Sequence, residues 1–115
     1  VPLVEITYAP HVPHAVLKEL GAMLPHAVSV AVECPEEPYD GDLQPADVEL
    51  RFRPRGPFDS NGMDVVIEIR SKWFESRATN RQNRVDGLCK SVADSTGLGD
   101  VGVYLSLPIA AWAQS

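Results

Sequence analysis

The chain has 115 residues, 44% of them hydrophobic, as expected of one ordinary globular domain small enough for self-association to add useful burial. A formal net charge of -6 supplies no basic face for neutralising phosphates, which argues against a nucleic-acid partner. No apolar run approaches the roughly 18–20 residues that cross a bilayer and the first residues lack the basic-then-apolar order of a signal peptide, so a cytoplasmic protein with no membrane partner is expected.

The sequence repeats itself. Pro2-Leu3-Val4-Glu5-Ile6-Thr7 opens a first half that closes on Asp47-Val48-Glu49-Leu50-Arg51-Phe52-Arg53-Pro54. Val65-Val66-Ile67-Glu68-Ile69-Arg70 opens a second that closes on Asp100-Val101-Gly102-Val103-Tyr104-Leu105-Ser106-Leu107-Pro108. The halves divide at about residues 1–56 and 57–115.

Residues 3–8 alternate as a strand, rich in β-branched and aromatic side chains. Pro10 and Pro13 punctuate the entry to a helix whose apolar stripe runs through Val16, Leu17, Leu20, Leu24, Ala27, Val28, Ala31 and Val32. Pro25 lacks an amide donor and should kink that helix; the alternative is a strand over residues 28–32. Residues 34–45 hold three prolines, a glycine and several acids and read as a loop. Residues 47–53 alternate again, with Val48, Leu50 and Phe52 on one face and Glu49, Arg51 and Arg53 on the other. Asn61-Gly62 is a tight-turn signal. The strand over residues 64–71 is more continuously apolar and is expected to be central. Thr79 and Gln82 are spaced as a capping box for a second helix with Val85, Leu88, Cys89 and Val92 on its buried side, ended by Gly97 and Gly99. A last strand covers residues 101–107. In the tail after it, Trp112 either caps its own core or packs on a neighbouring subunit.

Two βαβ units predict an α/β (α+β) domain: a four-stranded mixed sheet with two helices on one face. The bare second face of the sheet suggests burial against copies of the same chain, in a closed homo-oligomer. Cys34 and Cys89 stand in no Cys-x-x-Cys pair and read as buried or incidental thiols. His11, His14 and His26 offer no metal geometry. With no Gly-rich phosphate loop and no Gly-x-Ser-x-Gly elbow, no cofactor and no metal are expected.

The proline opening the first strand, the duplicated βαβ unit, Asn80-Arg81 at the second helix start and a tyrosine on the closing strand together resemble the tautomerase superfamily. That group contains 4-oxalocrotonate tautomerase, 5-carboxymethyl-2-hydroxymuconate isomerase and macrophage migration inhibitory factor. The resemblance implies a homotrimer of tandem βαβ subunits, and a cofactor-independent tautomerase or isomerase acting on a small unsaturated keto acid, or a related decarboxylase or hydratase. It implies that Pro2 is the general base, provided its nitrogen is a free secondary amine. An α-amine has a reference pKa of roughly 7.7–8.0, which an apolar or cation-lined pocket lowers, giving a neutral base near neutral pH.

Val1 departs from that pattern, because a retained Val1 places the Pro2 nitrogen in an amide. Either a start codon written as valine encodes a Met that is removed, which frees Pro2, or Val1 stays and Pro2 only opens a strand. The resemblance places carboxylate-binding cations at the end of the third strand and just beyond, which points to Arg70 and Lys72 and then Arg53. Tyr104 is either an assisting hydrogen-bond donor or a plain strand tyrosine. Where 4-oxalocrotonate tautomerase has an arginine near the start of its second strand, this chain has Glu49. The rival function is a catalytically silent trimer, ligand-binding or structural, in which Val1 blocks Pro2; a third is a regulatory small-molecule-binding domain without the ancestral chemistry.

Overall fold

A computed structural model describes residues 1–60 and 62–115. Strand β1 (Leu3–Tyr8) leads into helix α1 (His14–Val32), and β2 (Glu49–Pro54) returns parallel to β1. The second half repeats the plan: β3 (Val65–Arg70), a single turn α2 (Glu75–Ala78), helix α3 (Arg81–Thr96) and β4 (Val101–Ser106), parallel to β3. β1 and β3 are antiparallel neighbours, so the order is β2-β1-β3-β4, with the apolar β3 central as expected.

Period-two alternation decides what the sheet buries. Val4 and Ile6 of β1 and Val65, Ile67 and Ile69 of β3 point to the helix side. There they join Leu20, Leu24, Val28 and Val32 of α1 and Leu88 and Val92 of α3 in one core. Each such side chain contributes about 1.5–3 kcal/mol by leaving water. Both main helices therefore cover one face of a mixed sheet, the expected architecture. α1 is by length and composition apolar enough to cross a membrane, which the sequence reading did not anticipate, but its apolar stripe is packed into this core.

Three local expectations are revised. α1 runs through Pro25 to Val32, so no strand forms over residues 28–32; Val28 and Val32 belong to the buried helical stripe. Thr79 does not cap α3: its amide donates to the Glu75 carbonyl to close α2, and Asn80 precedes α3 without a side-chain cap. Gln82 instead donates to Asp86 Oδ1 at 2.9 Å along the helix. The loop after α1 contains two 3-10 turns, Pro38–Asp42 and Pro45–Asp47, the second closed reciprocally by Gln44 and Asp47. Gly97 does end α3, in the left-handed conformation at φ 75°, with its amide on the Ala93 carbonyl. The Asn61-Gly62 turn signal involves Asn61, which lies outside the described residues.

The uncovered face is charged rather than apolar. Strand pairing aligns Arg51, Glu5, Glu68 and Tyr104 in one row, and Glu49, Leu3, Arg70 and Ser106 in the next. Arg51 lies 3.8 Å from Glu5 and 3.5 Å from Glu49, and Arg70 lies 3.6 Å from Glu68. A dry self-contact over this face would have to desolvate those ions, which costs several kcal/mol per ion. Apolar burial of the bare face is thus not what would drive association.

Candidate functional site

The register brings four chain segments to one end of the sheet: Leu3 is flanked by Glu49 and Arg70, and Arg70 by Ser106. Beyond the strands the pairing continues into the tail, with the Ser71 amide on the Ser106 carbonyl and the Trp73 amide on the Pro108 carbonyl. A cleft of about 810 Å³ opens there. Val1, Leu3, Arg70, Ser71 and Lys72 form its sheet side; Glu37, Tyr39, Asp40, Asp42, Leu43 and Asp47 form the loop wall; Pro108, Ala110, Ala111 and Trp112 form the tail wall.

One buried arginine ties these walls together. Arg77 is fully buried, and its Nε donates to the Val32 carbonyl at 2.7 Å. Nη1 donates to Ser71 Oγ and the Lys72 carbonyl, and Nη2 to Asp40 Oδ2 at 2.6 Å. Its guanidinium also lies 5.4 Å from the Phe74 ring centroid, within cation–π range. Ser29, buried on α1, donates to the Asp40 carbonyl and accepts from the Leu43 amide, fixing the same loop from the other side. Arg84 adds a second clamp by donating to the Ala31 and Glu33 carbonyls at the end of α1, where cationic donors satisfy orphan carbonyls and oppose the helix dipole. Arg77 and Arg84 are structural, because their donors are spent on backbone carbonyls and on the side chains of Ser71, Asp40 and Asn80.

The predicted site residues divide. Arg70 and Lys72 both line the cleft. Pro2 is fully buried beside it, its carbonyl accepting from the Glu49 amide at 3.1 Å, and Val1 is the residue presented to the cleft. Arg53 pairs with Thr7 toward the opposite end of the sheet, and Tyr104 pairs with Glu68 on the open face; neither lines the cleft of a single chain. Lys72 Nζ contacts Glu37 Oε1 directly. Trp112 is 51% exposed, with its indole N–H donating to Gln114 Oε1 at 3.1 Å, so it forms cleft wall rather than capping the core. Sequence reasoning missed the whole loop wall; its proline- and acid-rich composition was the available signal, but composition does not show which way a loop folds.

No family model and no curated protein matches this sequence. Solved structures do. A malonate semialdehyde decarboxylase, described with decarboxylase and hydratase activities and with a mutant whose first-position proline is alanine, superposes with a TM-score of 0.70 at 16% identity, over 98% of this chain and 90% of that one. The chain adopts the tautomerase-superfamily fold. A fused 4-OT symmetric trimer matches with a TM-score of 0.66 at 16% identity, over 92% of this chain and 85% of that one. A macrophage migration inhibitory factor-like protein from Entamoeba histolytica gives 0.59 at 15%, over 93% and 88%. Within the tautomerase-superfamily fold the strand order β2-β1-β3-β4 is what places the start of β1 next to the end of β3, and hence Val1 and Pro2 next to Arg70 and Lys72.

Among the described residues no group of three or more His, Cys, Asp or Glu side chains could hold a metal ion. The charged side chains lining the cleft are the cations of Arg70 and Lys72 and the loop carboxylates of Glu37, Asp40, Asp42 and Asp47.

Proposed function

We propose that the cleft is the active site of a cofactor-independent tautomerase or isomerase of small unsaturated keto acids, or of a related decarboxylase or hydratase, working as a homotrimer. The observation that carries the reading is that one cleft joins the start of β1 to Arg70 and Lys72. With the Pro2 nitrogen freed, its neutral amine would take the proton from the carbon or oxygen next to the carbonyl. Arg70 and Lys72 would hold the carboxylate and the charge developing on the enolate oxygen. The same ammonium-bearing proline would return the proton at the other position, leaving the amine neutral for the next turnover. Trimeric assembly is drawn from the solved relatives described as trimers. Tyr104 as an assisting donor and Arg53 as a third cation belong to this reading only where a neighbouring subunit brings them to the cleft.

A second reading is favoured by one observation: Pro2 is buried behind Val1, with its nitrogen in a peptide bond. A chain that keeps Val1 would be a catalytically silent scaffold that binds a small carboxylate. Two proteins separate the readings, one retaining Val1 and one beginning at Pro2, assayed for ketonisation of an arylpyruvate enol. The Pro2-first form should be faster by the roughly 10²–10⁴ that a positioned base contributes. Equal rates would move the base elsewhere, and no turnover by either form would leave the silent scaffold.

A further inference from the structure

Each cation of the cleft is already beside a carboxylate of its own chain. Arg70 Nη2 lies 3.6 Å from Glu68 on the open face, where both are about half exposed. Lys72 is different: its ammonium contacts Glu37 Oε1 within the cleft itself, and the two side chains are 35% and 19% exposed. Glu37 comes from the loop wall, which Arg77 and Ser29 hold in place through Asp40. A carboxylate is thus built into the chain at the group to which the proposed function assigns a substrate carboxylate.

We propose that Glu37 is an internal competitor: a ligand carboxylate binds Lys72 by displacing Glu37, and this exchange restricts the cleft to small monocarboxylates with an aromatic or extended apolar body. The inference rests on the assignment of Lys72 made above. Exchange at one ammonium keeps the charge count even, since one carboxylate leaves as another arrives. A second ligand carboxylate has no comparable place. Asp42 and Asp47 line the same cleft, and their nearest hydrogen-bond partners are the Gln44 side chain and amide, not cations. Arg70, the other cation of the cleft, is taken up by the same ligand carboxylate in the proposed function, so it offers no separate place for a second one. An apolar body does have a place in the cleft, whose lining includes the half-exposed Trp112 as well as Tyr39 and Pro108. A partly exposed ion pair is held weakly enough to exchange on binding.

The test is an NMR titration of the full chain with 3-phenylpropionate and, as the dicarboxylate, phenylsuccinate. The Trp112 indole N–H reports binding and that of Trp73 serves as reference. E37Q should bind 3-phenylpropionate about three- to tenfold more tightly than the unaltered protein, E37A should shift in the same direction, and phenylsuccinate should bind more weakly than 3-phenylpropionate throughout. In the K72A background E37Q should add nothing, since no ammonium remains to compete for. Unchanged or weaker binding in E37Q while K72A still weakens it overturns the competitor and leaves the anion site standing; weaker binding would make Glu37 a positioning residue for Lys72. Tightening that persists in K72A also overturns it, as general repulsion. If K72A binds as well as the unaltered protein, the Lys72 assignment itself fails, and if E37Q binds no 3-phenylpropionate the exchange is rejected outright.

Discussion

Arg77 and Asp40 join the fully buried side of the cleft wall to its exposed side, Nη2 to Oδ2 across 2.6 Å, with the arginine at 0% and the aspartate at 14% exposure. Through that one guanidinium the end of α1, the exit of β3 and the acidic loop are held in a single arrangement. Removing one partner of a buried pair leaves the other uncompensated, so Arg77→Met should cost about 3–5 kcal/mol, a large part of a domain's stability. The double change Arg77→Met with Asp40→Asn should recover part of that loss, because no stranded carboxylate remains. Urea unfolding measures both; a loss below about 1 kcal/mol for Arg77→Met would mean that the loop is held without it.

The parts of this arrangement that follow from periodicity could be read from the chain. Val4 and Ile6 alternate with Glu5, and Leu20, Leu24 and Val28 recur at helical spacing, because burial of one face is the dominant local constraint. The neighbourhood of Arg70 is fixed by the same periodicity, since pairing of the repeated strands sets Arg70 opposite Leu3 at the start of β1; its role toward an anion came only from the resemblance. Arg77 was not legible, since nothing local distinguishes a buried arginine from a solvated one; its partners lie far along the chain at Val32 and Asp40. Thr79 misled because a one-turn helix used its amide before α3 began. The position of Arg53 was not legible, because alternation puts it on the same open face as Arg70 while the parallel β1–β2 pairing sends it to the other end of the sheet.

Acid should loosen the Ser76–Glu36 contact on the outer side of the same loop only as pH falls below the ordinary carboxylate range. Ser76 Oγ donates to Glu36 Oε2 at 2.7 Å, and that hydrogen bond, with a backbone donor second, holds the Glu36 carboxyl below its ordinary range. A carboxyl lowered in the folded state contributes stability that is present above its unfolded pKa and lost as pH falls through the folded value. Ser76→Ala should therefore raise the Glu36 pKa toward the ordinary range, as followed by NMR of its side-chain carboxyl. An unchanged Glu36 titration in that variant would assign the lowering to the backbone donor instead.

Arg70 and Arg53 should behave differently as ligand contacts. Arg70 lines the cleft and Arg53 does not, so Arg70→Ala should raise the 3-phenylpropionate concentration needed for half saturation by about tenfold, the lower end expected for losing a charge-assisted hydrogen bond. Arg53→Ala should leave it unchanged in any state where a single chain makes the site. A matching effect from both substitutions, with the folds intact by circular dichroism, would indicate that a neighbouring subunit carries Arg53 to the cleft.

Assembly is best tested at the tail. Glu5, Glu49, Arg51, Glu68 and Arg70 make the open sheet face a poor dry interface, whereas Ile109 is 97% exposed and Trp112 half exposed at the end of the chain. β2 and β4 are the two edge strands of the sheet among the described residues, and an edge strand is a template on which a neighbouring copy can pair. Sedimentation should give three times the 12.5 kDa chain mass, and deleting residues 109–115 should shift the species toward monomer as concentration falls. The same deletion removes the Trp112 wall of the cleft, so 3-phenylpropionate binding should weaken even where the trimer persists. Trp112→Ala separates the two effects: lost binding with the trimer intact would confine the indole to the cleft, and lost assembly would place it between subunits. A monomer at every concentration would remove the trimer from the proposed function and leave the single-chain cleft as the whole site.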